Sequence, residues 1–411
     1  FPKARVAVSV KIIEIMIMIL AAYGFKTHSY PLLFVCLFLM GLHSTFFGPV
    51  KYSILPELVT ETELVAGNAY VELGTFLAIL IGTVSSGVAM AHPEGAPAIM
   101  GGLIVIAVLG LLMSLAIPKT PGALPDLPIA WNPVSDTMRT LKLALPNRAV
   151  FHALLGISWF WFLGGALLSI LPVLTESHLQ ADAGVVTYFL GLFTVGIAVG
   201  SVLAEKLSHE RVEIGLVPLG SIGMSVGLFC LSLFTHLWPV RAPHSELLTL
   251  AQFIHAPHAW GISFSLVGIA VSGGIFTVPL YTLMQSRSER SIRSRIVGAN
   301  NVMNALFMVV SAVLLLGFYA AGLSMAAIFV IYGFFNLGVA IYIYRMVPEF
   351  LLRFMTFLLS SLLYRLQVKG QENIPQTGAA ILVCNHVSFI DWCLIGGAIK
   401  RPVRFVMSSG M

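Results

Sequence analysis

The stretch VAGNAYVE at residues 65–72 has a counterpart in VGANNVMN at residues 297–304, and the two align without a gap. Val65 matches Val297, Asn68 matches Asn300, and Glu72 stands where the second copy has Asn304. Each copy follows a charged loop and opens a long apolar segment. Eight weakly similar residues carry little by themselves. Their placement carries more, because the segments they open are the third and the ninth of a series. A separation of six spans is what two six-helix halves produce when an axis along the membrane normal relates them. The pair therefore predicts an all-α polytopic membrane protein built as two related halves.

Composition agrees. Of 411 residues, 58% are hydrophobic and only 10% are charged, against roughly 25% charged in a soluble domain. Ten apolar segments are visible, at 6–25, 31–50, 69–91, 97–117, 150–174, 184–205, 213–236, 259–284, 298–321 and 324–346. Each approaches the ~20 residues that a helix needs to cross hydrocarbon, and none alternates as a barrel strand does. With these spans, all of the 23 Lys and Arg residues except Lys26 and Arg241 fall on one side. The positive-inside rule makes that side the cytoplasm. One missed span would scramble the sorting. The same sorting explains the net charge of +5 without nucleic acid, since the cations face an anionic leaflet. Cys36, Cys230, Cys384 and Cys393 are scattered and read as free thiols. No GxxxxGK[ST] stretch is present, so nothing supports ATP-driven transport by this chain. The chain starts at Phe1, and four spans precede the long loop 118–149 while six follow it. The expectation is that two N-terminal helices lie outside this chain.

Three stretches, KYSILPELVTETELVAGNAYVE (51–72), LAILIGTVSSG (77–87) and VPLYTLMQSRSERSIRSRIVGANN (278–301), resemble the major facilitator superfamily. More narrowly, they resemble the bacterial lysophospholipid transporter (LplT) family. FPKARV (1–6) looks like the tail of the basic loop after the second helix of such transporters. The resemblance runs over residues 1–347. It implies a major facilitator fold with ten of twelve helices present. The first half would be partial, over 1–117, and 118–149 would be the cytoplasmic inter-half loop. The second half would cover 150–347. It also implies movement of lysophospholipids, such as lysophosphatidylethanolamine, from the outer to the inner leaflet of a bacterial inner membrane. A drug or metabolite exporter of the same fold, with an incidental C-terminal extension, is the alternative.

A charged group in hydrocarbon costs roughly 2.5–3.5 kcal/mol on insertion scales, so such groups line cavities or pair with each other. Glu72 lies inside its span, four residues after Asn68, and the two share a helix face. Asn300 and Asn304 repeat that spacing. If the halves face each other, these four residues line one polar path for a zwitterionic or hydroxyl-rich head group. Helix-start capping and helix–helix hydrogen bonding are the other reading. His43, in GLHSTFFGP, either packs or faces the same path. Lys11 and Glu14, three apart on the first span, suit a structural ion pair. His236, His244, His255 and His258 lie on the outer side, with no Cys partner and no helical HxxxH spacing. An interfacial loop with a short amphipathic helix over 245–253 fits them better than a metal site. The basic loop 286–295 either sets topology or binds anionic lipid head groups.

After 347 the texture changes. EFLLRFMTFLLSSLLYRL (349–366) has too short an uncharged run to span, which suggests a helix lying at the interface. AAILVC (379–384) predicts a buried strand, NHVSFID leaves it, and WCLIGGAI begins a helix. Strand, loop, helix is where α/β folds place their chemistry. A histidine serves as general base when a neighbouring carboxylate fixes its tautomer and orientation. His386 is thus the candidate base, taking the proton of a glycerol hydroxyl that attacks an acyl thioester. Asp391 would hold it, and Asn385 and Ser388 would brace the loop.

NHxSxxD after an apolar strand, itself preceded by V-x-G-x-E-N-I-P, resembles the first block of the glycerolipid acyltransferase (PlsC) family, over 348–411. The resemblance implies an acyl carrier protein or coenzyme A thioester as donor and no bound cofactor. Lysophospholipid, membrane lipids and acyl carrier protein are the expected partners. Family members carry later blocks, one for glycerol phosphate and one of FPEG type, and neither occurs before Met411. The expectation is the beginning of an α/β domain, without enzyme activity by itself. Joined to a transporter, it would gain effective substrate concentration by tethering.

Overall fold

The computed structural model describes residues 2–119 apart from 61 and 91–94, then 133–208, 215–240 and 246–346; beyond these it describes 356, 369–370, 373–375, 378–385, 387–388 and 390–399. Among the described residues, ten helices are long and apolar enough to cross a bilayer. The first four are α1 (Lys3–Lys26), α2 (Tyr30–Leu58), α3 (Leu64–Met90) and α4 (Gly95–Leu115). Six more are α6 (Arg148–Val173), α7 (Ala183–Ser208), α8 (Leu216–His236), α10 (Ala259–Arg287), α11 (Arg293–Ala320) and α12 (Met325–Met346). Shorter helices are α5 (Pro133–Ala144), α9 (Leu250–His255) and α13 (Asp391–Ala398). A π-helical turn, Leu174–His178, extends α6. Long helices are the physical answer to hydrocarbon, which offers no partner to an unpaired backbone group.

Local chemistry sets several helix starts. Asn147 caps α6 by accepting from the Val150 N–H at 3.3 Å. Ahead of α3, Glu63 accepts from the Thr60 N–H at 3.0 Å and its hydroxyl at 2.8 Å. Those two bonds hold the exposed Glu63 carboxyl below the ordinary carboxylate range.

In the second half, α10 packs against α6, α7 and α8. Small residues permit the approach. A side chain at Gly200 would run into the Val271 carbonyl, one at Gly274 into the α7 backbone, and one at Gly223 into Ser272. Lipid tails are as apolar as Leu, so close backbone packing and polar links hold such helices together. Asn336 of α12 supplies one of the links. It donates to the Ser221 carbonyl at 2.8 Å and to Ser225 Oγ at 2.9 Å, and accepts from Trp159 Nε1 at 2.9 Å. In the first half, α1 packs on α2 and α4 through Ile17, Met18, Ala21, Cys36 and Ala107. Outward, Met16, Phe34, Phe38 and Met113 remain exposed, the surface a spanning helix gives to lipid.

Several expectations need correction. The second span does not stop at residue 50. α2 continues to Leu58, so Lys51 lies inside the helix. Hydropathy ends a span at a charge, but the backbone need not stop where polar neighbours receive that charge. The inter-half segment contains α5, whose Thr140 hydroxyl accepts from Arg295 Nη2 of α11 at 3.3 Å. The helix expected over 245–253 occupies Leu250–His255, because Thr249 and Gln252 form a capping box. Leu248 instead bridges to Ala181. The strand expected at 379–384 is not formed among the described residues. Ile381 is 91% and Val383 90% exposed, and a strand exists only by pairing with a neighbour. The interfacial helix expected over 349–366 lies outside the described residues except for Thr356.

Candidate functional site

Where α2, α3 and α10 meet, the two halves are joined through polar side chains. Asn68 is fully buried one turn into α3. Its amide and that of Gln285 on α10 exchange two hydrogen bonds, Asn68 Nδ2 to Gln285 Oε1 at 2.7 Å and Gln285 Nε2 to Asn68 Oδ1 at 2.9 Å. Gln285 Nε2 also donates to the Tyr52 carbonyl of α2 at 3.1 Å. Asn68 Nδ2 donates to the Leu64 carbonyl at 3.0 Å and lies 3.3 Å from Thr282 Oγ1.

One turn deeper, Glu72 is 2% exposed. Its Oε1 accepts from the Tyr52 hydroxyl at 2.6 Å. Tyr52 stacks on Tyr281 of α10, with centroids 4.5 Å apart and planes 2° from parallel. The Tyr281 hydroxyl accepts from Trp161 Nε1 at 3.3 Å. On α11, with the Asn304 amide turned so that both of its ends are satisfied, it donates to Ser158 Oγ at 2.9 Å and to the Asn300 carbonyl at 3.0 Å, and accepts from Asn300 Nδ2 at 3.2 Å and Trp161 Nε1 at 3.3 Å. The indole is therefore shared between Tyr281 and Asn304. A continuous polar chain runs from Glu72 through Tyr52, Tyr281 and Trp161 to Asn304 and Asn300. Asn68 and Glu72 thus share one network with their repeat counterparts.

His43 lies apart from these four. Its Nε2 is 3.1 Å from Glu14 Oε2, and its ring stacks toward Phe47 at 6.2 Å. Lys11 Nζ lies 2.6 Å from the same Glu14 oxygen and 4.6 Å above the Phe47 ring. The three titratable groups sit together between α1 and α2.

Residues that sequence reasoning missed complete the site: Tyr52, Lys51, Trp161, Tyr281 and Gln285. One signal was available. Tyr281 and Gln285 repeat the four-residue polar spacing of Asn68 and Glu72, at the end of a span rather than the start. Lys51 was hidden by its assignment to a loop.

Around the C-terminal candidate, Asp391 opens α13. Its Oδ2 accepts from the Val387 N–H at 2.7 Å and the Ser388 N–H at 2.8 Å, and its own N–H donates to the Ser388 carbonyl at 3.0 Å. The carboxylate is thereby fixed against the loop that precedes it. Ser388 and Asn385 are exposed on that loop, and His386 lies outside the described residues.

Comparison with known proteins gives two family matches. The Major Facilitator Superfamily model matches residues 8–312, and an acyltransferase model matches residues 365–411. The lysophospholipid transporter LplT of Enterobacter sp. (strain 638) is 29% identical over 342 residues, 81% of this chain and 77% of that protein. LplT of Klebsiella pneumoniae (strain 342) is 29% identical over 295 residues, 70% of this chain and 66% of that protein. LplT of Escherichia coli O1:K1 / APEC is 32% identical over 263 residues, 62% of this chain and 58% of that protein. Among solved structures, a bacterial homologue of the iron transporter ferroportin in an outward-facing state superposes with a TM-score of 0.59 at 13% identity, covering 85% of this chain and 84% of that one. The proton:xylose symporter XylE, bound to 6-bromo-6-deoxy-D-glucose, gives 0.59 at 13% identity, with 83% and 80% covered. At that identity the likeness is one of fold alone.

Proposed function

The chain belongs to the Major Facilitator Superfamily, and on that premise we propose that it carries lysophospholipid from the outer to the inner leaflet of a bacterial inner membrane and hands it to an acyltransferase on the same polypeptide. One observation carries this reading. A transporter related to LplT continues, soon after its last span, into a segment that matches an acyltransferase. A drug exporter has no use for that continuation.

The geometry suits the task. A lysophospholipid is an amphiphile whose tail can stay in apolar surroundings while its head group needs polar partners. Glu72, Asn68, Asn300 and Asn304 offer acceptors and donors at the boundary between the halves, where a head group can exchange for the bonds made to Tyr52, Gln285 and Ser158. Delivery to the cytoplasmic face then brings the free glycerol hydroxyl to the second activity. There His386 takes the hydroxyl proton as the oxygen attacks the thioester carbonyl. Asp391 orients the imidazole, and the proton leaves with the departing thiol of acyl carrier protein or coenzyme A.

The test is leaflet-resolved uptake of labelled lysophosphatidylethanolamine by the complete protein in vesicles, followed by addition of an acyl thioester. Uptake and conversion to diacyl lipid are expected. Vesicles that leave the label in the outer leaflet, while exporting cationic drugs, would overturn the reading.

A further inference from the structure

We propose that Lys51 and Glu72 form a clamp for a zwitterionic phosphodiester head group, Lys51 taking the phosphate and Glu72 the ammonium; this rests on the transport reading above. Lys51 lies inside a span, where an ionised group persists only by facing a cavity or a partner. Its Nζ donates to Thr75 Oγ1 at 3.1 Å and stands 4.6 Å over the Tyr52 ring. Among the described residues no carboxylate lies within ion-pair distance of it; the lysine–carboxylate pairs formed join Lys3 to Glu57 and Lys11 to Glu14. An ammonium has three donors, and the Thr75 hydroxyl occupies one. Lys51 is therefore a partly buried cation with unspent donors.

Glu72 is its complement. Tyr52 supports both groups, giving its ring face to the Lys51 ammonium and its hydroxyl to the Glu72 carboxylate. The two groups are held apart, one over the ring face and the other at the ring's hydroxyl, rather than collapsed into a pair. Among the described residues, the neighbouring helices α10 and α11 bring polar but uncharged groups to this spot. α10 contributes Tyr281, Thr282 and Gln285, and α11 contributes Asn301, which packs onto Gly48 one turn from Lys51. A separated cation and anion, both intramembrane, match a ligand that carries a separated anion and cation. The cluster of Lys11, Glu14 and His43 differs on this point, because there the Lys11 ammonium already pairs with the Glu14 carboxylate.

The test uses the full chain in neutral vesicles with two labelled probes, lysophosphatidylethanolamine and lysophosphatidylglycerol, which keeps the phosphate but lacks the ammonium. A lost charge-assisted contact lowers affinity about tenfold or more. Lys51→Gln is expected to cut uptake of both probes by that factor at equal expression, and Lys51→Arg to restore most of it. Glu72→Gln is expected to penalise the ethanolamine probe more than the glycerol one. Ligand-induced melting shifts separate binding from folding: wild type gains stability with the ethanolamine probe and Lys51→Met does not. Undiminished uptake by Lys51→Gln, or an equal melting gain in Lys51→Met, overturns the clamp and leaves transport standing. A wild-type protein that takes up neither probe overturns the transport reading, and the clamp with it.

Discussion

Asn68 and Gln285 pair their amides head to head across the boundary between the two halves, with hydrogen bonds of 2.7 and 2.9 Å, and both side chains are fully buried. Each amide also reaches a backbone carbonyl, Leu64 for one and Tyr52 for the other. The pair is the most completely satisfied polar contact between α3 and α10, so breaking one side leaves the other stranded.

Asn68→Leu should therefore destabilise the observed arrangement by about 1–3 kcal/mol, the cost of a buried amide without a partner. Adding Gln285→Leu should cost less than the first change, because the stranded group is then removed. Thermal unfolding of the four variants of the cycle in detergent measures this. Strictly additive losses would mean the two amides act independently.

Glu72→Ala removes the carboxylate that accepts from Tyr52 and leaves that hydroxyl buried. Uptake of labelled lysophosphatidylethanolamine should fall while expression stays at the wild-type level. Uptake equal to wild type would take Glu72 out of the path.

Helix packing predicts a position-specific pattern in α7 and α10. At Gly200 any side chain meets the Val271 carbonyl, whereas at Gly268 nothing lies within 4 Å of an added Cβ. Overpacking costs typically 1–3 kcal/mol and more where backbone blocks it. Gly200→Leu should lose the monodisperse peak in size-exclusion chromatography, and Gly268→Ala should keep it. Equal behaviour of the two would contradict the close α7–α10 approach.

In the complete protein, His386→Ala and Asp391→Asn should each reduce acyl transfer by about 10²–10⁴-fold, the usual contribution of a positioned general base. Asp391→Asn also weakens the two backbone bonds from Val387 and Ser388. Lysophospholipid uptake should be unchanged in both. Acylation that persists in His386→Ala would remove the assignment.

Much of the architecture was legible because the bilayer reads sequence locally. A span is about 20 apolar residues, and a loop's side follows its Lys and Arg content. Both are sums over neighbours in the chain, so ten spans and the two related halves could be counted from residues alone. Asn68, Glu72, Asn300 and Asn304 could be named as candidates from two copies of one pattern, but the aromatic and amide groups around them could not. The strand at 379–384 was misread for the complementary reason. An apolar run says what a segment would bury, and only a neighbouring strand makes it a strand.

By itself the sequence determined that this chain is a helical membrane protein with two related halves, a sorted charge distribution and a C-terminal NHxSxxD loop. Tertiary structure decided the partners. It set Asn68 against Gln285, which lies 217 positions away, joined Glu72 to Tyr52, drew His43 to Glu14, and placed Lys51 inside a helix beside Tyr52. No local period encodes those choices. They depend on how closely helices approach, which small residues such as Gly48 and Gly200 permit, and on which polar groups must find one another once water is excluded.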